Sequence, residues 1–337
     1  MKNGVKRSRS TPVQDNPGKP SRPGEAELGA DIKARVAWLY YMEGMTQDQI
    51  AQEVGLHRTR VLRMLSASRQ DGTVQIRVTA NLSRCVELER CLEATYGIER
   101  AIVIPEPREA AQVSQTIGAV LGAYIADNLT DRMTIGLGWG RTLSCALPAI
   151  VNNGHSDMTV VSLLGGLTKV STVNPSEFAW RMADRLSASC YMLAAPVFAP
   201  DARTREALMT HPGIREIFHR ATQLDMAILS VGDLSPQSTF AEYGLLERDE
   251  LASLHRAGAV GDILCRFINA EGEVIDHPVN ERVVAVDPRN LTGARKLVLA
   301  SGGWHKYQVI LASIRLLRPH VLVTDEVVAE RLVETTG

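Results

Sequence analysis

The stretch Gln47–Met64, QDQIAQEVGLHRTRVLRM, constrains the fold of this chain more than any other. Ile50, Ala51 and Val54 recur at helical spacing and give a first helix one apolar face. Gly55 stands where that helix must end in a left-handed residue and the chain must turn. Leu56 plugs the turn, and Val61, Met64 and Leu65 form the buried side of a second helix. Ala51 is small where the two helices would cross. An ordinary hairpin with a solvated basic face needs only the apolar stripes; the small residue, turn glycine, plug and anchors together fit a helix-turn-helix. Outward, the second helix offers His57, Arg58, Thr59, Arg60 and Arg63, donors suited to phosphates and guanine edges in double-stranded DNA. A preceding helix over about 31–43, with Ile32, Val36, Leu39 and Tyr40 on one stripe, completes a three-helix unit, and Thr46 can cap the next helix. After an Asp71-Gly72 turn, TVQIRV (73–78) alternates like a strand and is expected to form a wing.

A chain of 337 residues suits two domains, and 45% hydrophobic content is enough for a sizeable core. Charge is unevenly spread. Residues 1–80 hold 13 Lys and Arg against 8 Asp and Glu, whereas the remainder holds 24 against 30. A basic head on a mildly acidic body fits nucleic-acid binding joined to ligand binding. Residues 1–28 are rich in Pro, Gly, Ser and basic residues and read as a disordered tail. The head is expected over 29–80 and the body over 81–337. Cys85, Cys91, Cys145, Cys190 and Cys265 are scattered without a CxxC or CxxC…HxxxH pattern, so neither a metal site nor a disulfide framework is expected. No segment approaches the roughly 20 apolar residues of a membrane span, and the start lacks the apolar core of a signal peptide. A cytoplasmic protein is expected.

From about Ala101 strands and helices alternate. Strands are expected at AIVIP, MTIGLG (133–138), TVVSLLGG (159–166), CYMLAAP, MAILSVGD (226–233), KLVLASGG (296–303) and VLVTDE (321–326). Helices are expected over 83–96, 113–129, 142–151, 177–187, 203–222 (broken at Pro212-Gly213) and 307–317. The rhythm predicts an α/β body, a doubly wound and mostly parallel sheet covered on both faces.

Ligands bind beyond the carboxyl ends of such strands. Gly138-Trp139-Gly140-Arg141-Thr142 follows a strand and opens a helix. Its glycines let backbone approach an anion, and Arg141 and Thr142 add a charge and a hydroxyl. Ser301-Gly302-Gly303-Trp304-His305-Lys306 repeats the arrangement, with Lys306 placed to meet a phosphate as a point charge. Val231-Gly232-Asp233 and Gly258-Ala259-Val260-Gly261-Asp262 offer carboxylates for sugar hydroxyls. Gly165-Gly166, followed by Lys169, is a weaker fifth element. Anion-binding loops at one end and carboxylates at the other predict a phosphorylated polyhydroxy ligand.

These residues carry a resemblance to the SorC family of sugar-responsive bacterial transcriptional regulators, sometimes grouped with DeoR. MTQDQIAQEVGLHRTRVLRMLSASRQDGTVQIRV is similar to its DNA-binding head. GLGWGRTL, VVSLLGGL, SVGD, GAVGDILCRFINAEGEVID, ASGGWHK and VLVTDE resemble its effector-domain landmarks in the family order. The resemblance implies a winged helix-turn-helix head. It also implies a body similar to the phosphosugar isomerase and CoA-transferase fold, turned from catalysis to sensing, in a homodimer or homotetramer. It implies a sugar- or polyol-phosphate effector lined by Gly138, Trp139, Gly140, Arg141, Thr142, Asp233, Asp262 and Lys306. The family often has Ser where His57 stands, which weakens the case for a side-chain cap there. The rival reading is a phosphosugar isomerase with an appended helical head, using Asp233, Asp262 or His305 as base. No acid–base pair is evident, and a helix-turn-helix serves no free-standing isomerase, so the sequence reads as a regulator and not an enzyme, with no cofactor.

Overall fold

In this computed structural model the described residues are 23–74, 83–107, 109–168, 173–236 and 238–335. The chain divides into two compact units, Met1–Val74 and Gln75–Gly337. The expected wing strand runs mostly through residues outside those described, as does Lys169.

The first unit contains α1 (Pro23–Tyr41), α2 (Gln47–Glu53) and α3 (Arg58–Gln70). α1 begins at Pro23, inside the stretch expected to be a tail. Proline suits the first turn of a helix, where its missing N–H costs nothing, and Glu, Ala and Leu follow it. Val36, Leu39, Ile50, Ala51, Val61 and Leu65 form the buried centre, with Ile32, Tyr40, Val54, Leu56 and Met64 packed around it. Thr46 caps α2 in a reciprocal capping box with Gln49. Gly55 takes φ +66°, a left-handed conformation that closes the turn between α2 and α3. Lys33 of α1 pairs with Asp71 at the end of α3.

The second unit opens with α4 (Ser83–Tyr96), β1 (Arg100–Ile104), α5 (Val113–Asp127), β2 (Thr134–Leu137), α6 (Arg141–Ser144), β3 (Thr159–Ser162), α7 (Pro175–Leu186) and β4 (Ser189–Tyr191). It continues with α8 (Ala202–Met209), α9 (Pro212–Arg220), β5 (Met226–Leu229), β6 (Val231–Gly232), α10 (Thr239–Glu242), α11 (Arg248–Arg256), β7 (Gly261–Ile263) and β8 (Arg266–Ile268). The last elements are α12 (Pro278–Glu281), β9 (Lys296–Ala300), α13 (Tyr307–Leu317), β10 (Val321–Asp325) and α14 (Glu326–Glu334). Seven strands form one parallel sheet in the order β1-β10-β9-β5-β2-β3-β4.

Alternation along the strands sends side chains to two cores. Met226, Ile228, Val298 and Val323 pack with Ile117, Leu121 and Ile125 of α5 on one face. Ala227, Leu229, Leu297 and Leu322 pack with Leu92 of α4, Ile310 of α13 and Leu332 of α14 on the other. Both faces are buried, so the strands read as continuous apolar runs. α4 belongs to this body: Cys85, Leu88 and Leu92 are in its core, and Glu89 and Glu93 accept from the Val103 and Ala101 amides of β1. β2 leads outward to β3 and β4, whereas β5, on its other side, leads outward to β9 and β10. The sheet therefore reverses direction between β2 and β5, where such folds leave a crevice for ligands.

Three expectations need correction. The helix expected over 142–151 stops at Ser144 and gives way to a short 3-10 turn, Leu147–Ala149. Pro148 removes a helical donor and disfavours helix at the residue before it. The segment from Val231 to Ile268 contains a second, antiparallel sheet, β6-β7-β8, that the sequence reading missed. Asp262 consequently lies on β7, opposite Gly232, rather than in a loop at the end of a main-sheet strand. Its two-residue hairpin turn uses Leu264 and Cys265 at φ +51° and +62°, without the glycine that marks such turns in sequence.

Candidate effector site and DNA-reading helix

The exposed side of α3 is built as the sequence indicates. His57, Arg58, Thr59, Arg60 and Arg63 are all exposed. His57 occupies the N-cap position but makes no side-chain cap hydrogen bond. Arg58 lies 3.6 Å from Asp48, so part of its charge is already answered within the head. Leu62, half exposed on the same helix, is an apolar residue the sequence reading did not single out. Leu62 is suited to contact with a thymine methyl.

In the body, the loops after β2, β5 and β9 emerge from three adjacent strands at their carboxyl ends. Gly138 donates to the Ile228 carbonyl at 2.9 Å and is pressed against it, so a side chain there would meet β5. Gly140 has φ +121° and nothing within 4 Å of where a Cβ would stand, leaving its backbone open to approach. α6 has only four residues, so the helix-dipole part of the anion argument is lost.

Two loop residues turn away from solvent. Trp139 is 6% exposed and packs edge-on to Phe240, 6.0 Å between ring centres. Thr142 is buried, with its hydroxyl 3.4 Å from that of Ser114. Both were expected to line the site; in this structure both are buried, and their packing anchors the loop. Their burial follows from α5 and Phe240 closing over the loop, contacts distant in sequence. Arg141 points outward and pairs with Glu242 of α10 at 2.7 Å.

The loop after β9 is fixed from below by Asp325, which is buried at the end of β10. Its carboxylate accepts from the Gly303 amide at 2.6 Å and from Val328 at the start of α14 at 3.2 Å. Gly302 passes so close to Asp325 and Ile117 that any side chain would overlap them. Ser301 and Thr324, also buried at these strand ends, each leave a hydroxyl oxygen without a hydrogen bond.

Lys306 is half-buried and, among the described residues, has no carboxylate within ion-pair distance. Burial lowers its proton affinity; Asp233 and Asp262 oppose that effect, and Arg141 adds to it. These four charged groups thus share one field. Asp233 is buried and accepts from the Ser235 amide at 3.0 Å, an Asx turn that fixes its direction. Asp262 is 2% exposed. One of its oxygens accepts from the Cys265 amide at 2.8 Å, and the other is buried without a hydrogen bond. Burial pushes its carboxyl up to about 7; the Cys265 amide and Lys306 pull against that, and Asp233 adds to it. His305, beside Lys306, is held below its ordinary value by burial.

The fold therefore brings Arg141, Asp233, Asp262 and Lys306 together from four separate segments, with the open backbone at Gly140. A half-buried cation in the field of two buried carboxylates suits hydroxyl and anion recognition. The sequence reading missed Glu242 as the partner of Arg141 and the Cys265 amide as the donor to Asp262. Nothing in the sequence marks Glu242, which meets Arg141 only in the tertiary structure. Among the described residues no group of three or more His, Cys, Asp or Glu is placed to hold a metal ion, and no helix is long and apolar enough to cross a membrane.

One apparent dyad has a structural explanation. Ser253 and His277 are 3.0 Å apart, but His277 Nδ1 accepts from the Val279 amide. Its proton must then sit on Nε2 and be donated to Ser253, so the imidazole is not free to act as a base.

Residues 80–334 match the family described as "Putative sugar-binding domain". The erythritol catabolism regulatory protein EryD of Brucella abortus is 29% identical over 310 residues, covering 91% of this chain and 98% of EryD. The sorbitol operon regulator of Klebsiella pneumoniae is 27% identical over 317 residues, covering 91% of this chain and 100% of that protein. The crystal structure of full-length SorC, the sorbitol operon regulator from Klebsiella pneumoniae, aligns with a TM-score of 0.70 at 26% identity, covering 90% of this chain and 98% of that one.

Proposed function

This chain belongs to the SorC family of sugar-binding transcriptional regulators, and from that premise we propose that its operator binding is controlled by a sugar- or polyol-phosphate effector held at the carboxyl ends of β9, β5 and β2. The observation that carries this reading is the convergence of Lys306, Asp233, Asp262 and Arg141 on the point where the sheet reverses. Lys306 and Arg141 meet the anionic group, with the open backbone at Gly140. Asp233 and Asp262 accept from hydroxyls. An erythritol catabolism regulatory protein and a sorbitol operon regulator among the relatives support a polyol-type ligand. We read the body as binding its ligand without turnover.

The head, over about 29–80, contacts double-stranded operator DNA through α3. Thr59, Arg60 and Arg63 face the groove, with His57 and Arg58 at the helix start. A base contact is worth about 1–3 kcal/mol, so losing two should abolish specific binding. Assembly as a homodimer or homotetramer would present heads to half-sites about one helical turn, or a multiple of it, apart. The effector can shift DNA affinity only by its difference in affinity for the two states, commonly about 1–3 kcal/mol.

The test is thermal unfolding of the full chain against sugar phosphates, polyol phosphates and free polyols. A ligand at about 100 times its dissociation constant adds roughly 2.7 kcal/mol of stability. Stabilisation by a phosphorylated compound that disappears in Lys306→Ala is the expected result. Stabilisation only by free polyols would overturn the anionic part of the site. A ligand effect that survives Lys306→Ala would remove this residue from it. Arg60→Ala combined with Arg63→Ala should abolish specific DNA binding and leave the ligand response intact.

A further inference from the structure

The loop bearing Arg141 is tied at two points to the segment that follows Asp233. Phe240, 1% exposed, packs edge-on to Trp139 from the same short helix, α10, that carries Glu242. Glu242 then pairs with Arg141 at 2.7 Å. The pair sits at the surface, with the Arg141 and Glu242 side chains 59% and 47% exposed. An incoming ligand can therefore reach it without unpacking the core. The remaining charges in this field are one cation, Lys306, and two carboxylates, Asp233 and Asp262. Glu242 occupies the guanidinium that an anion would use, so an anion gains Arg141 only if Glu242 gives way. Asp233 and Asp262 are buried and held by backbone amides. Glu242 has no such restraint among the described residues and is the group able to move.

We infer that Glu242 is a specificity-determining residue for the anionic end of the effector, surrendering Arg141 to an incoming phosphate group and penalising ligands too weakly charged to take it. This rests on the effector site proposed above. The guanidinium exchanges one bidentate-capable acceptor for another, so no proton transfer is required. The exchange frees the end of α10, linking ligand charge to the position of the 233–247 segment.

The experiment uses the full chain with two probes, inorganic phosphate and erythritol, at constant ionic strength. Dissociation constants are read by phosphorus NMR for the first and calorimetry for the second. Glu242→Gln preserves size at an exposed position. It should bind phosphate about two- to fivefold more tightly, the range an exposed ion pair commands, and leave erythritol affinity unchanged. In an Arg141→Gln background the same substitution should have no effect on phosphate. An equal gain in that background would mean that Glu242 acts only as a distant negative charge, and the inference fails. No gain in either background also overturns it while leaving the site itself standing, provided Lys306→Ala still weakens phosphate binding. If phosphate binds no form of the chain, or binds Lys306→Ala unchanged, the anionic site fails and this inference with it.

Discussion

Replacing Asp262 by Asn should stabilise the body at neutral and alkaline pH while weakening its ligand response. The carboxyl is buried on β7 and its titration is pushed from 3.8 to about 7, chiefly by burial. Its folded value thus lies above its unfolded one. Below about pH 4 the group is neutral in both states and carries no penalty. As pH rises from about 4 to 7 the unfolded chain ionises and the folded protein resists, so stability falls across that window. Above about pH 7 the cost is complete. Roughly three pH units correspond to an upper limit of about 4 kcal/mol. Asn cannot ionise, and its carbonyl can keep the Cys265 amide bond. The advantage of Asp262→Asn should therefore be absent near pH 4 and grow to a few kcal/mol by about pH 8. For a body of this size each kcal/mol moves the melting temperature by about 2–4 °C. The assay is a set of melts of both proteins between about pH 4 and 8.5, since the slope against pH reports the difference in bound protons. Parallel curves for the two proteins would refute the reasoning, because a group ionised alike in both states gives no slope. A gain in stability at the expense of effector response is the trade-off expected where a site holds a carboxylate for its ligand and not for the fold.

Ile50→Ala should unfold most of the head. A buried Ile-to-Ala change costs about 2–5 kcal/mol, comparable with the whole stability of a unit this small, so operator binding should fall more than tenfold while the body's melting transition stays in place. Gly122→Ala would drive a methyl into the Ala146 carbonyl and to within 2.8 Å of the Ala149 side chain. Overpacking of this kind costs about 1–3 kcal/mol, read as a lower urea midpoint. The head should also be acid-sensitive at Asp71. Burial raises its proton affinity, but hydrogen bonds from Lys33 and Thr73 outweigh that and hold the carboxyl at about 2. Its folded value is depressed, so the stabilisation is present above about pH 4 and lost as pH falls towards 2. Asp71→Asn should remove that acid step from the head's circular dichroism; because the pair is partly exposed, the effect is small.

Local periodicity was enough for the head. The apolar positions of α1 to α3 are neighbours in sequence, so Ile50, Ala51, Val61 and Leu65 could be assigned to one core from spacing alone. The parallel strands were equally legible because both faces are buried and the runs are continuous. The glycine-rich loops announced themselves for a related reason: at Gly302 the backbone runs against a buried carboxylate, leaving no room for a side chain, and at Gly138 it runs tightly against a neighbouring strand. Other features lay beyond sequence patterns. The β6-β7-β8 sheet has strands of two or three residues, too short to show alternation, and its hairpin turn uses Leu264 and Cys265 where glycine or asparagine would have been a signal. Whether Trp139 faces a ligand or the core depended on Phe240, about a hundred residues away, and so did the pairing of Arg141 with Glu242. The order of the strands and the ionisation of Asp262 were likewise tertiary decisions. Sequence determines which residues can be buried or turned, because those are properties of a few neighbouring positions. Which charges meet, and how far water is excluded from them, depends on segments that only the folded sheet brings together.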